Sequence, residues 1–100
     1  MRLSNGEKEI IRAAATEAFG SEARVRVFGS RLDDNARGGD LDLLVECPSA
    51  VDNAGLMSAR MSALIQLRTG LRKIDVLAAW PGAPLSPVHR VALEEGVVIS

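Results

Sequence analysis

The sequence predicts a small α/β domain, a mixed sheet of three to four strands flanked by helices. Three observations predict it. Apolar residues recur at helical spacing in three segments, short apolar runs of strand type lie between them, and Gly or Pro stands at most boundaries. Such alternation favours a sheet covered by helices. One hundred residues with 47% apolar content suit one folded domain spanning 1–100, with a single core of modest size.

The first segment, SNGEKEIIRAAATEAFG, opens with Ser4 as a candidate N-cap and Glu7 three residues on, the spacing of a capping box. Ile10, Ile11, Ala14, Ala18 and Phe19 follow at helical spacing, and Gly20 is a natural stop. In ARVRVFG, Ala23, Val25 and Val27 alternate with Arg24 and Arg26, which predicts a strand stopped by Gly29. The polar stretch from Ser30 to Gly39 predicts a loop holding a short helical turn. DLDLLVE predicts a second strand with Leu41, Leu43 and Val45 on one face and Leu44 beside the aspartates on the other, covered on both sides for part of its length.

A second helix follows, carrying Leu56, Met57, Met61, Leu64, Ile65 and Leu67 and ending at Gly70; the Met57, Met61 and Leu64 stripe suits the core or a partner-facing surface. LRKIDVLAAW predicts a third strand, stopped by Pro81-Gly82. SPVHRVALEEG predicts a last helix with a Ser86 cap and Pro87 at its first position. VVIS predicts a short edge strand.

Composition narrows the function classes. The formal net charge is −1, so no global field draws the protein to nucleic acid or anionic lipid. Aromatics are 3%, too few for a base-stacking platform. No apolar run approaches the ~20 residues of a membrane span. The N-terminus has no signal-peptide core, and the single cysteine, Cys47, suits a reducing compartment. A soluble cytoplasmic domain is the expectation.

The chemistry concentrates in FGSRLDDNARGGDLDLLVE and KIDVL. Asp40 and Asp42, two apart on a strand, share a side, their roots about 7 Å apart. Two like charges held together are unfavourable, and a hard divalent cation such as Mg²⁺ relieves the cost. Asp75, flanked by Ile74 and Val76, is an acid in an apolar strand that needs a partner. If its strand lies beside the second, three carboxylates can hold two metal ions, the arrangement that serves phosphoryl or nucleotidyl transfer. Gly29 lets a phosphate approach the backbone. The Ser30 hydroxyl and the N–H groups of a following turn can bond to it, and Arg31 offers further charge.

These residues carry a resemblance. The order Gly-Ser after a first strand, Asp-x-Asp opening a second and a third Asp on a later strand resembles the minimal nucleotidyltransferases of the DNA polymerase β superfamily, over about Arg24 to Val98. The chain departs from many relatives in having Gly39 before the first Asp and RLDDNARGG after the Gly-Ser. The resemblance implies Mg²⁺-dependent transfer of a nucleoside monophosphate, AMP from ATP in the first instance. It implies Asp40 and Asp42 bridging two metals, Asp75 binding the catalytic metal and helping to deprotonate an acceptor hydroxyl, and Gly29 and Ser30 holding the triphosphate. Many short relatives act in toxin–antitoxin pairs, some adenylylating a helical HEPN-type partner.

Blander roles stand beside these. Arg31 and Arg37 suit solvated loop charges, Asp33 and Asp34 suit turn formers, and Asp75 suits a salt bridge to Arg72 or to Lys73, which shares its face. Glu46 lies too far along the strand for a metal shell. His89, the only histidine, has no companions for a zinc site and suits packing or the surface. Cys47 suits packing. The main alternative function is a module that binds nucleotide or a partner, or neutralises that partner by complex formation, without turnover. A small domain with much apolar surface is expected to need a partner, a second copy included.

Overall fold

A computed structural model describes residues 1–35 and 39–99. The order is helix α1 (Asn5–Phe19), strand β1 (Arg24–Phe28), a 3-10 turn (Gly29–Leu32), β2 (Leu41–Glu46), α2 (Ala54–Thr69), β3 (Ile74–Ala79), α3 (Pro87–Glu95) and β4 (Val97–Val98). This is the order expected from the sequence; most element ends fall within a residue or two of their segments, while β3 begins three residues into LRKIDVLAAW and α2 starts only at Ala54. Arg37 lies outside the described residues.

Local chemistry sets the helix ends. The Glu7 N–H donates to Ser4 Oγ at 3.1 Å and the Ser4 N–H to Glu7 Oε1 at 2.9 Å, closing the capping box. Gly20 and Gly70 end α1 and α2 with φ of 103° and 76°, conformations that cost an L side chain dearly. Ser86 caps α3, where Pro87 sacrifices an N–H that has no helical partner in any case.

The sheet order is β3-β2-β1-β4, with β1 antiparallel to β2 and β4, and β2 parallel to β3. The parallel pair needs a crossover, which α2 supplies. Alternation then divides the sheet into two apolar faces. Val25, Val27, Leu41, Leu43 and Val45 pack under α1 and α2 with Ile11, Ala14, Ala15, Met61 and Ile65. Phe28, Leu44 and Ala79 pack under Ala92 of α3. Leu44 is therefore buried on the same face that carries Asp42, so β2 is covered on both sides as expected.

The helical stripes are narrower than their apolar composition. In α1 the buried residues are Ile11, Ala14 and Ala15, with Ile10, Ala18 and Phe19 only partly covered. In α2, Leu56 and Leu67 are 63% and 82% exposed and lie outside the core. Their spacing fits a helix, but the face that meets the sheet is centred on Met61 and Ile65.

The outer edge of β3 is guarded by side chains. The carbonyls of Lys73 and Ala79 face β2, accepting from Leu41 and Cys47 N–H, so those of Ile74 and Ala78 face outward. Ser62 Oγ donates to Ile74 O at 3.1 Å, and His89 Nε2 lies 3.1 Å from Ala78 O. The Ser86 N–H donates to His89 Nδ1, which places the ring proton on Nε2 for Ala78. His89 thus both completes the α3 cap and blocks an edge that would otherwise pair with another strand. Among the described residues no helix is long and apolar enough to cross a membrane.

Candidate functional site

The site lies where β1 ends and β2 begins. Antiparallel pairing sets Phe28 against Asp42, so the next residue, Gly29, turns directly beside the Asp42 carboxylate. Its φ of +77° opens the 3-10 turn. A methyl group built on Gly29 would collide with Asp42 Oδ2 and come within 3.3 Å of its Cγ. The backbone conformation therefore favours glycine, and a side chain there would push the Asp42 carboxylate aside. Gly29→Ala is expected to cost at least about 1–2 kcal/mol from left-handed strain alone and to displace Asp42. Urea denaturation checks the first effect, and a variant as stable as wild type would contradict the turn.

Parallel pairing of β2 with β3 sets Asp42 opposite Asp75 in register. Asp40 precedes β2 by one residue and Asp42 by two. Asp42 is half-buried, whereas Asp40 and Asp75 are exposed. The Asp42 carboxyl is held above the usual carboxylate range, first by burial, then by the charge of Asp75, then by that of Asp40. Asp75 and Asp40 thus both act on the half-buried Asp42.

They neighbour one another without being gathered. Among the described residues no three His, Cys, Asp or Glu side chains stand close enough, as placed, to form a metal-binding group. Like charges repel, so carboxylates on adjacent strands splay unless a cation draws them in. The donor set, all hard carboxylate oxygen, suits Mg²⁺.

Two expectations about Asp75 change. β3 is an edge strand, so Asp75 is exposed and its charge is not stranded in an apolar interior. The salt-bridge alternative also finds no support, since no ion pair joins Asp75 to Arg72 or Lys73 among the described residues. Lys73 sits before the strand at a left-handed φ of 54°, which breaks the alternation that would have put it on Asp75's face.

The 3-10 turn brings Ser30 to the same end of the sheet, and its hydroxyl makes no hydrogen bond among the described residues. Arg31 is placed differently from the solvent-facing phosphate contact its position suggested. It is 9% exposed, with Nη1 donating to Arg2 O at 2.9 Å and Nη2 to Gly39 O at 3.1 Å. Its Nε is buried and finds no acceptor among the described residues.

No protein-family model matches the chain, and no curated protein matches it.

Other sequence candidates fall away from the site. Asp33 Oδ1 accepts from Asn35 N–H at 2.9 Å, a turn-forming bond. Glu46 is ion-paired with Arg26 at the far end of the acid-bearing face. Cys47 is buried, and burial pushes its thiol up. A cavity of about 470 Å³ lined by Phe19, Glu22, Cys47, Pro48 and Met57 opens at the opposite end of the sheet and includes none of the site residues. At the other end of the sheet Asp40 and Asp75 are exposed and Asp42 is half-buried. Arg2 escaped the sequence reasoning altogether; no motif links it to a turn some thirty residues away.

Proposed function

We propose that the protein is a Mg²⁺-dependent nucleotidyltransferase that moves AMP from ATP to a hydroxyl group on a helical HEPN-type partner, silencing it as an antitoxin does. The observation that carries this reading is the in-register pairing of Asp42 with Asp75, with Asp40 alongside and Gly29 packed against the Asp42 carboxylate.

Asp40 and Asp42 would hold both cations and Asp75 one of them. Bound Mg²⁺ would supply charge neutralisation for the phosphates and for the attacking and leaving oxygens. The chain's own part is positional. Gly29 makes room for the Asp42 carboxylate and so holds the turn beside the acids, and the Ser30 hydroxyl is available to donate to a phosphate oxygen. Asp75, exposed on the edge strand, is the carboxylate that an incoming macromolecule can reach. It would accept the proton of the acceptor hydroxyl as that oxygen bonds to the α-phosphorus and the bond to pyrophosphate breaks. The acceptor then approaches from the β3 edge.

One observation favours a second reading, a module that neutralises its partner by complex formation alone. Arg31, the cation nearest the glycine turn in sequence, is engaged within the fold. The two readings separate experimentally. With Mg²⁺, ATP labelled at the α-phosphate and a helical HEPN-type protein as acceptor, wild type is expected to label that protein and Asp40→Asn to leave it unlabelled. Equal labelling by both sinks the catalytic role of the acids. Neutralisation of the partner by Asp40→Asn, with no label transferred by wild type, establishes the binding module instead.

A further inference from the structure

Two arginines tie the first residues of the chain to both walls of the acid site. The Arg2 backbone N–H donates to the Arg31 carbonyl at 2.8 Å. Its guanidinium donates from Nη2 to Ser30 O at 3.1 Å and from Nε to Asp33 O at 3.0 Å. Arg31 answers by donating from Nη1 to Arg2 O at 2.9 Å and from Nη2 to Gly39 O at 3.1 Å. The adjacent Leu3 is buried in the core under α1 and α2, which anchors the segment.

We infer that Arg2 and Arg31 are positioning residues, a reciprocal clasp that fixes the Gly29–Ser30 turn relative to the Gly39 carbonyl, one residue before Asp40. The physical need is plain. A 3-10 turn leaves its last carbonyls without helical partners. The Arg2 N–H takes that of Arg31, and the Arg2 guanidinium bridges the Ser30 carbonyl, which also accepts from the Asp33 N–H, to the Asp33 carbonyl just beyond the turn. The rigid fork of a guanidinium can bond two carbonyls at once, which an ammonium cannot do in the same way. Arg31 holds this pose with a buried Nε that has no acceptor among the described residues, a cost offset by spanning the Arg2 and Gly39 carbonyls. The clasp thereby sets the distance between the phosphate wall and the acids. Only this last consequence rests on the nucleotidyltransferase reading.

Arg2→Ala removes the guanidinium bonds to the Ser30 and Asp33 carbonyls and leaves the core intact, since Arg2 is only partly buried. The backbone bonds at residue 2 remain, so Arg31→Lys tests the other half of the clasp. In Arg2→Ala, amide hydrogen exchange of the full chain is expected to accelerate at residues 30–32, with the amides of Val25 and Val27 unchanged. Calorimetric titration with Mg²⁺ and ATP is expected to show about tenfold weaker binding, the scale of one charge-assisted hydrogen bond, while the melting temperature without nucleotide moves little. Arg31→Lys keeps the charge but cannot span both carbonyls, and is expected to weaken binding further. Unchanged exchange at the turn in Arg2→Ala overturns the clasp. So does wild-type affinity for Mg²⁺ and ATP in that variant. If wild type itself binds no Mg²⁺ and ATP, the nucleotidyltransferase reading falls, and the exchange rates alone decide the clasp.

Discussion

Asp42→Asn is expected to lose nucleotidyl transfer by at least about a hundredfold, the scale seen when one electrostatic stabiliser of a transferring group is removed. Without Mg²⁺ the same variant should melt at the wild-type temperature or above it. The two effects have one origin. Burial and the charges of Asp75 and Asp40 raise the Asp42 carboxyl in the folded protein. The folded chain therefore binds that proton more tightly than the unfolded chain does, and ionising Asp42 opposes folding. The opposition is complete above the raised folded value. It fades as pH falls through that value, and it vanishes below the ordinary carboxylate range, where both states are protonated. Asparagine removes it at neutral pH.

The stability difference between Asp42→Asn and wild type, measured by thermal denaturation, should accordingly favour the variant near pH 7 and shrink on acidification. Mg²⁺ with ATP should raise the wild-type melting temperature and leave that of the variant unchanged, because only a state that binds ligand gains by mass action. A large loss of stability in metal-free Asp42→Asn would identify the carboxylate as a structural hydrogen-bond acceptor and remove the basis of the proposed chemistry.

Leu44→Ala is expected to destabilise the protein by about 2–5 kcal/mol, the range for emptying a buried leucine site. Leu44 is fully buried two residues beyond Asp42 on the same face, and with Phe28 and Ala79 it meets Ala92 of α3. This cluster is small, so neighbouring residues have little material with which to refill the space. Urea denaturation measures the loss, and hydrogen exchange should show α3 opening before α1. Leu67→Ala is the control. At 82% exposure it should change stability by no more than about 0.5 kcal/mol. A Leu44→Ala loss as small as that of Leu67→Ala would mean that α3 does not pack on the acid-bearing face.

Much of the architecture was legible because its signals are local. Ser4 with Glu7, Gly20, Gly70 and Ser86 with Pro87 act within one turn of chain, so their consequences can be read from neighbours in sequence. The period-two pattern of RVRVF and LDLLVE likewise states which residues share a face before any partner strand is known. The two-residue spacing of Asp40 and Asp42 belongs to the same class.

Whatever depends on pairing between distant segments was decided by tertiary structure alone. The parallel register that sets Asp75 opposite Asp42 follows from how α2 carries the chain across the sheet. The edge position of β3 leaves Asp75 exposed, a fact that its apolar neighbours concealed. Arg31 turns inward because the carbonyls of Arg2 and Gly39 converge on it, and Arg26 meets Glu46 only through the pairing of β1 with β2. The sequence by itself determined which residues can cap, turn and alternate, since those depend on bonds to near neighbours. Which carboxylates meet, and which cations are spent inside the fold, was settled by packing, because contact across strands depends on a register that no short stretch of chain contains.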